Sequence, residues 1–347
     1  MLEPLDHSDV LSVVGRYPRL RYMGSKYRVV PRLVEVFAGL EFETAIDAFS
    51  GSGVVAYALK AMGKAVTAND FLNFPMTVAK ATVENPGVRL TAEDVALVLG
   101  PNSDGRDFIR RRFEGLYFPD EDHDFLDAAW SNLEQLPAYK RELAIAGLCL
   151  AAARKQPRGV FTITDFRYDD GRRNLRLPLR EIFVEAVEAL NAVVFDNGQR
   201  NVALRQDVST LAAEGIDLAY FDPPYAPPRD DNDYIKRYHF LEGLSGYWRG
   251  AEIMERTKTK KLAKRFTPYA YKRTIGQALA ELFDKFRNST IVLSYSSNSV
   301  PDQHEILAML RAVKPRVEVL SVPHRYSFGT HATAVRREVD EYIFVAR

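Results

Sequence analysis

The sequence predicts an α/β fold in which helices cover both faces of an open, mostly parallel sheet. The first observation is that strand-like and helix-like stretches alternate near the start of the chain and again in its second half. The second is that Asp47, Asp70, Asp207 and Asp222 stand at or near the ends of strand-like runs. Ligands of such sheets bind beyond the carboxyl ends of the strands, so these acids predict a polar site there.

Seven strands and several helices follow from the apolar pattern. The pattern predicts strands at 44–49, 64–69, 201–205, 217–221, 290–295, 316–322 and 341–346. Helical periodicity predicts helices at 54–62, 274–286 and 302–313. Repeated strand–helix–strand units are typical of a mostly parallel sheet.

The middle of the chain breaks this alternation. It holds charged helices and several aromatic residues, and segments 161–167 and 174–179 flank Asp169-Asp170-Gly171 as the arms of a hairpin would. We therefore predict an inserted, largely helical domain at 85–180. The two flanking parts, 1–84 and 181–347, would form one catalytic domain.

Charge is unevenly distributed along a chain whose net charge is only +1. Residues 154–180 carry eight Lys or Arg against three Asp, a net +5, and residues 256–273 carry eight Lys or Arg and no acid, a net +8. Clustered positive charge neutralises phosphates and releases counterions, which favours a nucleic-acid partner. A solvated loop explains the second segment equally well.

Other bulk features exclude several classes of protein. The longest apolar run, residues 143–153, has 11 residues, whereas a membrane-spanning helix needs about 20. The first residues lack the regions of a signal peptide, and a single cysteine, Cys149, forms no internal disulfide. We therefore expect a cytoplasmic protein without a membrane span. The six histidines show no metal-ligand spacing, so no metal is expected.

A short motif, Asp222-Pro223-Pro224-Tyr225, ends the strand predicted at 217–221. The first proline restricts Asp222, and neither proline has an N–H, so the turn presents acceptors without competing donors. Such acceptors suit a planar ring with an amino group, and Tyr225 can stack on its face. This chemistry leaves adenine, cytosine or a side-chain amide open, and Asp and Pro also favour an ordinary turn.

A glycine-rich turn, Asp47-Ala48-Phe49-Ser50-Gly51-Ser52-Gly53, follows the first predicted strand. Its glycines permit a tight turn and let a ligand approach the backbone. The full dinucleotide spacing and a Gly-Lys-Ser/Thr are both missing, which disfavours NAD and ATP. The acid before the glycines suits an amine, and Asp70 after the next strand suits ribose hydroxyls. Together they indicate S-adenosylmethionine.

The order of these motifs resembles that of the alpha-group, Dam-like DNA adenine N6-methyltransferases. The resemblance rests on Arg21-Tyr22-Met23-Gly24-Ser25-Lys26, the turn at 47–53, Asn69-Asp70 and the motif at 222–225. It implies a Rossmann-like S-adenosylmethionine-dependent methyltransferase fold with a target-recognition domain inserted after the second strand. Its substrate would be an adenine flipped out of double-stranded DNA.

The resemblance also implies roles for individual residues. Catalysis would depend on Lys26, Asp222, Pro223, Pro224 and Tyr225. Cofactor contacts would come from Tyr22, Gly24, Lys26, Asp47, Phe49, Gly51, Gly53, Asp70, Asp207 and Asp222. The adenine amine would donate to the Asp222 carboxylate and the Pro223 carbonyl, which would localise the lone pair that attacks the methyl group.

DNA contacts are predicted in the two basic segments. The candidates are Arg167, Arg172, Arg173, Arg176, Lys260 and Lys261. Residues 258–265 are interpreted as a loop that becomes ordered on DNA. Tyr238 and His239 are candidates for the base pocket, although aromatic residues at helical spacing more often pack in a core.

Two alternatives stay open at this point. Related Asp-Pro-Pro-Tyr sites act on RNA, so an RNA base methyltransferase is the first alternative. A non-catalytic methyltransferase-fold protein that only binds nucleic acid is the second. We expect a monomer that is either an orphan methylase or one component of a restriction–modification system with a separately encoded endonuclease.

Overall fold

The computed structural model describes residues 7–162, 171–226, 234–326 and 337–347. Within them, seven strands form one sheet. They are β1 (Thr44–Asp47), β2 (Ala65–Asp70), β3 (Val202–Arg205), β4 (Leu218–Phe221), β5 (Thr290–Ser296), β6 (Val317–Tyr326) and β7 (Arg337–Ala346). Their order across the sheet is β3-β2-β1-β4-β5-β7-β6.

The sheet is parallel except at one side. Parallel pairs join β1 to β2 and β4, β2 to β3, and β4 to β5. Strand β7 runs antiparallel to both β5 and β6. Because the strand order reverses at β1, a crevice lies at the carboxyl ends of β1 and β4. The α/β class predicted from the alternating pattern is confirmed, and the seven strands predicted for the sheet are all present.

Twelve α-helices accompany the sheet in the described residues. They are α1 (His7–Gly15), α2 (Val30–Ala38), α3 (Val54–Ala61), α4 (Asn73–Ala79), α5 (Ala92–Val98), α6 (Phe108–Arg112), α7 (Asp120–Leu133), α8 (Lys140–Lys155), α9 (Leu179–Asn191), α10 (Tyr234–Leu244), α11 (Ile275–Lys285) and α12 (Gln303–Val313).

The two faces of the sheet belong to separate apolar clusters. Along β4, Leu218 and Tyr220 join the cluster of α1, α2 and α3, whereas Ala219 and Phe221 join that of α11 and α12. This alternation follows from the two-residue period of a strand. Because both faces are covered, β4 is apolar throughout, as a buried parallel strand should be.

A third apolar cluster gathers helices α4 to α10. It includes Phe74 before the predicted insertion, Leu148 within it, and both Ile182 and Phe240 after it. The helical core therefore extends beyond residues 85–180 in both directions. The predicted domain boundaries stay a prediction.

The hairpin predicted around Asp169-Asp170-Gly171 is wrong in its second arm. Instead of a strand at 174–179, the chain forms a 3-10 helix at Arg173–Leu175, and Leu179 begins α9. The Leu179 N–H donates to Asp122 Oδ1 at 2.7 Å, and α9 buries an apolar face against α8. The conformation of this segment is therefore decided by tertiary packing and not by its local residue pattern. Most of the first arm, residues 163–167, lies outside the described residues.

Candidate active site

The tetrapeptide motif follows directly after β4. Tyr225 donates its hydroxyl hydrogen bond to Asp222 Oδ1 at 2.9 Å. The Tyr225 ring also packs edge-on against Tyr295, with ring centroids 5.1 Å apart. The turn therefore presents a carboxylate held by the tyrosine of its own motif.

Lys26 reaches the same carboxylate from a distant part of the chain. Its side chain is 4% exposed, and its Nζ lies 2.8 Å from Asp222 Oδ1 and 3.2 Å from Glu341 Oε1. The ammonium also donates to the Gly24 carbonyl at 2.8 Å and lies 4.9 Å from the centre of the Tyr225 ring. One buried cation is thus surrounded by acceptors from three separate segments.

The charge state of Asp222 reflects competing neighbours. Burial raises the pKa of Asp222 to about 6, the Lys26 ammonium lowers it, and the Glu341 carboxylate raises it. A pKa of about 6 leaves the carboxylate charged above neutral pH, so it can accept hydrogen bonds there. It is also a better proton acceptor than an ordinary aspartate.

The glycine-rich turn joins β1 to α3. Gly51 and Gly53 have φ angles of +49° and +78°, which are in the left-handed region that favours glycine. A Cβ on Gly51 would lie 2.8 Å from the Tyr22 ring, and one on Gly53 would lie 2.6 Å from the Tyr17 hydroxyl. Glycine is therefore required by both backbone conformation and space.

Asp47, the last residue of β1, is 1% exposed. Its Oδ2 accepts a hydrogen bond from the Ala56 N–H at 3.1 Å. Its Oδ1 is buried and makes no hydrogen bond of normal geometry within the described part of the chain. Burial, followed by the charge of Asp222, raises the pKa of Asp47 well above its usual range. Such a group is stabilised by a cationic hydrogen-bond donor.

Asp70, the last residue of β2, is fixed by two backbone donors. Gly51 N–H donates to its Oδ2 and Leu72 N–H to its Oδ1, each at 2.9 Å. Burial raises the pKa of Asp70 to about 6, while these backbone hydrogen bonds lower it. Asp70 therefore ties the glycine turn to the end of β2.

All these elements line one cavity at the carboxyl ends of the strands. Its empty volume, open mouth included, is about 1080 Å³. Pockets for small ligands are usually about 300 to 1,000 Å³. Of the residues predicted for catalysis and cofactor binding, those that line it are Tyr22, Gly24, Lys26, Asp47, Phe49, Gly51, Asp70, Asp207, Asp222, Pro223, Pro224 and Tyr225.

Comparison with known proteins identifies the family. A family model described as D12 class N6 adenine-specific DNA methyltransferase matches residues 22–271. The match begins at Tyr22, contains the glycine turn and the tetrapeptide motif, and covers more than half of the chain. This chain belongs to the D12 class of N6 adenine-specific DNA methyltransferases.

Two relatives extend the likeness over most of the chain. The Type II methyltransferase M2.HphI of Haemophilus parahaemolyticus is 29% identical over 334 residues, covering 90% of this chain and 93% of that protein. The Type II methyltransferase M.FokI of Planomicrobium okeanokoites is 24% identical over 357 residues, covering 94% of this chain but 52% of that protein.

Three predicted residues of this D12 methyltransferase lie away from the cavity wall. Gly53 is the N-cap of α3 and packs against Tyr17 rather than lining the cavity. Tyr238 is buried, stacks on Tyr22 with ring centroids 4.9 Å apart, and accepts from the Met23 N–H. His239 is also buried and contacts the Phe161 carbonyl at 2.8 Å. Tyr238 and His239 are core residues, as helical spacing favoured.

The first part of the second basic segment lies in a short hairpin formed by residues 252–263. Ile253 and Leu262 form an antiparallel bridge, and Lys260, with a φ of +47°, lies in its tip. Tyr117 of the helical region donates to the Thr259 carbonyl at 2.6 Å, which ties the tip to that region. Ordering of residues 258–265 on DNA stays a prediction.

The predicted DNA-contact residues have different surroundings. Lys260 Nζ donates to the Glu255 carbonyl at 2.8 Å, and the Lys261 backbone pairs with Met254 across the hairpin. Arg173 forms an exposed ion pair with Glu185 at 2.7 Å. Arg172 donates to the Arg154 carbonyl at 3.2 Å, Arg176 follows in the same turn, and Arg167 lies outside the described residues. DNA contact by these residues stays a prediction.

Sequence reasoning missed several residues at the site. Tyr234 and Tyr269 line the cavity, and Tyr269 packs edge-on against Phe49 with centroids 5.0 Å apart. Glu341 is 1% exposed, and its Oε1 lies 3.2 Å from Lys26 Nζ. The available signal for Glu341 was an acid immediately before the apolar run of the last strand, where a charge is rarely buried without a partner.

Two kinds of feature are absent from the residues that the structure describes. In the described ranges, no group of three or more His, Cys, Asp or Glu is arranged to hold a metal ion. Among the helices of those ranges, none has both the length and the apolar character needed to cross a membrane.

Proposed function

We propose that this methyltransferase uses S-adenosylmethionine to methylate the N6 amine of an adenine that has been flipped out of double-stranded DNA. The observation that carries the proposal is the single cavity that Asp47, the glycine turn, Asp70 and the tetrapeptide motif share. One cavity with both sets of groups can hold a donor and an acceptor side by side, which supplies much of the rate enhancement of a two-substrate reaction.

The residues at the β1 and β2 ends fit an amino-acid-bearing nucleoside. The buried, unsatisfied Asp47 Oδ1 suits an ammonium donor, because an ion pair there would satisfy it. Each Asp70 oxygen already accepts one backbone N–H and retains acceptor capacity for a ribose hydroxyl. Asp207 and Phe49 would flank the adenine end. When bound, S-adenosylmethionine supplies an electrophilic methyl group on its sulfonium sulfur.

Asp222 would prepare the nucleophile. The lone pair of the adenine amine is delocalised into the ring, which makes the nitrogen planar and a poor nucleophile. Two acceptors that bind the two amine hydrogens would favour a pyramidal nitrogen with a localised lone pair. We assign these to the Asp222 carboxylate and the Pro223 carbonyl, with Tyr225 against the ring. Fixed acceptors in the cavity stabilise the positive charge that develops on the nitrogen.

A stacked adenine cannot reach this cavity, so the base would leave the duplex. Stacking on Tyr225 would offset part of the energy lost on leaving the helix. The helical region at 85–180 would act as the target-recognition domain. Arg172, Arg173 and the basic hairpin would hold the DNA backbone through phosphates.

The test is methyl transfer from labelled S-adenosylmethionine to purified duplex DNA, with RNA of matched sequence as the alternative substrate. We expect DNA to be labelled and RNA not to be. An Asp222→Asn variant should lose at least about a thousandfold in single-turnover rate, because one acceptor and the negative charge are both removed. Calorimetry should show nearly unchanged cofactor affinity.

The matched control is Asp284→Asn on α11. Asp284 is 63% exposed in an ion pair with Arg287, so this change removes an equal charge from the surface. Wild-type rates for Asp222→Asn would contradict the catalytic assignment. Labelling of RNA in preference to DNA would contradict the assigned substrate. Failure of the wild-type chain to bind S-adenosylmethionine would contradict the assigned cofactor.

We further propose that the chain is the modification enzyme of a Type II restriction system, as the names of its two relatives suggest for them. Sequencing that detects modified adenine in a host expressing the chain would reveal the recognition site. DNA from that host should then resist an endonuclease encoded beside the gene. Methylation scattered over unrelated sequences would argue against a restriction system.

A further inference from the structure

We propose that Glu341 is a positioning residue for methyl transfer, a role that rests on the function proposed above for Asp222. Glu341 is the alternative hydrogen-bond acceptor for both Lys26 and Tyr225, the two side chains that contact Asp222. By holding them, Glu341 would leave an Asp222 oxygen available to the adenine amine. The tetrapeptide motif supplies the acceptor itself, and Glu341 would keep that acceptor available.

Contacts on both neighbours of Asp222 lead to the same glutamate. Lys26 Nζ lies 2.8 Å from Asp222 Oδ1 and 3.2 Å from Glu341 Oε1. The Tyr225 hydroxyl donates at 2.9 Å to Asp222 Oδ1 and also contacts Glu341 Oε1. A phenol has one hydrogen to donate, so Asp222 and Glu341 compete for it. Each neighbour can therefore release Asp222 without becoming unpaired.

The fold brings Glu341 to this place through the antiparallel side of the sheet. Glu341 pairs with Ser296 of β5, and β5 runs beside β4, whose end carries Asp222. The Glu341 side chain is 1% exposed, and its Oε2 is buried without a hydrogen-bond partner in the described ranges. Burying a partly satisfied carboxylate opposes folding, so its presence requires another explanation than stability.

The charge of Glu341 also changes what Lys26 does to Asp222. Paired with Lys26 alone, an ionised Asp222 would form a neutral unit. The formal charges of Lys26, Asp222 and Glu341 sum to −1. A net negative charge stabilises the positive charge that develops on the adenine nitrogen during transfer. Glu341 thus lets Lys26 orient the site without cancelling the charge of Asp222.

The groups that face this cluster make the pH dependence specific. Asp222 is faced by Lys26, Tyr225 and Glu341, and it also lies near the buried carboxyl of Asp47. The phenol of Tyr220, on β4, is buried near Asp222, Asp47 and Glu341. Burial is the main cause that raises the pKa of Tyr220 well above its usual range, and the charges of these three acids raise it further. Tyr220 therefore stays neutral. Of these neighbours, Glu341 raises the pKa of Asp222 and Lys26 lowers it.

The experiment measures the single-turnover methylation rate of duplex DNA as a function of pH in Glu341→Gln. The amide keeps the size of the side chain and removes its charge. We expect the plateau rate to fall roughly tenfold to a hundredfold. In the plot of rate against pH, the part where the rate falls at acidic pH is called the acid limb. We expect its midpoint to move to lower pH, because a group that raises the Asp222 pKa is gone. Cofactor affinity in calorimetry should stay within about twofold of wild type.

The matched control is Glu318→Gln on the neighbouring strand β6. Glu318 is 43% exposed and paired with Arg316 and Arg347, so the same charge is lost far from the cavity. Its rate and acid limb should equal those of the wild type. A Glu341→Gln variant that behaves like this control would overturn the proposal. A reduced rate with an unmoved acid limb would also overturn it, because that is the result of a purely packing role.

A second variant keeps the test decisive if Glu341→Gln does not fold, as judged by thermal unfolding. Glu341→Asp retains the charge but withdraws the carboxylate by one methylene, so it should lower the plateau rate and move the acid limb to lower pH by less than a full loss of the charge would. A wild-type plateau rate in that variant would overturn the proposal. Loss of methylation in the wild-type chain would instead overturn the proposed function, which separates the two failures.

Discussion

Charged side chains are treated in opposite ways in the cavity and in the basic hairpin. At the cavity, Lys26, Asp47 and the adjoining Glu341 are each no more than 4% exposed. In the hairpin, the Lys260 side chain is 30% exposed and points its ammonium at a backbone carbonyl and a surface glutamate. Buried charges interact strongly in a fixed geometry, whereas exposed charges act at a distance and are screened by salt.

This difference is consistent with the separate tasks proposed for the two regions. A methyl transfer needs acceptors placed to within a fraction of an ångström, which a buried and mutually paired cluster provides. Attraction of DNA needs a field that tolerates many phosphate positions, which exposed lysines provide. The four predictions below test whether the two regions differ as much as their burial indicates.

The largest effect is expected from removing the buried cation. Lys26→Met leaves Asp222 and Glu341 facing one another without a counter-charge, so the free energy of unfolding should fall by roughly 3 kcal/mol. Urea denaturation of the cofactor-free protein measures it. The exposed counterpart is Arg173→Met, which breaks the surface pair with Glu185 and should cost less than about 0.5 kcal/mol. Equal losses in the two variants would remove the distinction between the regions.

The next effect concerns the turn that places Asp47 and Asp70. Gly53→Ala should destabilise the chain by about 2 to 3 kcal/mol, because a φ of +78° is strained for alanine and its Cβ would lie 2.6 Å from Tyr17. Gly63 is the matched control, with a φ of +79° and no atom within 4 Å of a Cβ. Gly63→Ala should cost only about 1 kcal/mol. Equal melting temperatures for the two variants would show that the turn adjusts to the clash.

The pH dependence separates buried from exposed carboxyls. Because burial raises the pKa of Asp222 to about 6, the methylation rate should fall about tenfold per pH unit below pH 6. Folding stability changes with pH in the opposite direction to the methylation rate. Because the pKa of Asp222 is raised in the folded protein, its stabilising contribution is present at low pH and is lost as pH rises through about 6. The free energy of unfolding of the wild type, relative to that of Asp222→Asn, should therefore decrease as pH rises through about 6.

Exposed acids should give no such limb. The pKa of Asp104, for example, is lowered by its hydrogen bonds with Arg106, so it stays charged throughout this pH range. An Asp104→Asn variant should keep the acid limb of the wild type. A rate that is flat down to pH 5 in the wild-type chain would show that Asp222 is not the titrating group.

The smallest effect on folding is expected in the basic hairpin. Lys260→Ala with Lys261→Ala should leave the melting temperature almost unchanged. If each lysine contacts one phosphate, the slope of log Kd against log salt should decrease in magnitude by about 2. Arg287→Ala is the control, because Arg287 precedes β5 and therefore lies at the amino end of that strand, whereas the cavity lies at the carboxyl ends. Equal salt slopes for all three proteins would contradict DNA contact by the hairpin.

The sheet and most of the cavity wall were predictable because their signals are local. Each of the seven strands carries its own apolar run, and the aspartates at their ends are visible without knowledge of strand order. The segment at 174–179 shows the limit of such signals. Its position beside Asp169-Asp170-Gly171 indicated one arm of a hairpin, yet Pro178 and the packing of α9 on α8 produce a helix start.

The amino-acid sequence by itself determined the fold class, the turn that needs glycine at 51 and 53, and the acceptor-rich turn at 222–225. These depend on backbone conformations that a few neighbouring residues dictate. Only the tertiary structure decided that Glu341 completes the site. Lys26 precedes β1, Asp222 follows β4, and Glu341 lies in β7. They meet because β7 inserts antiparallel between β5 and β6. No local pattern encodes that meeting, since it depends on strand order and register.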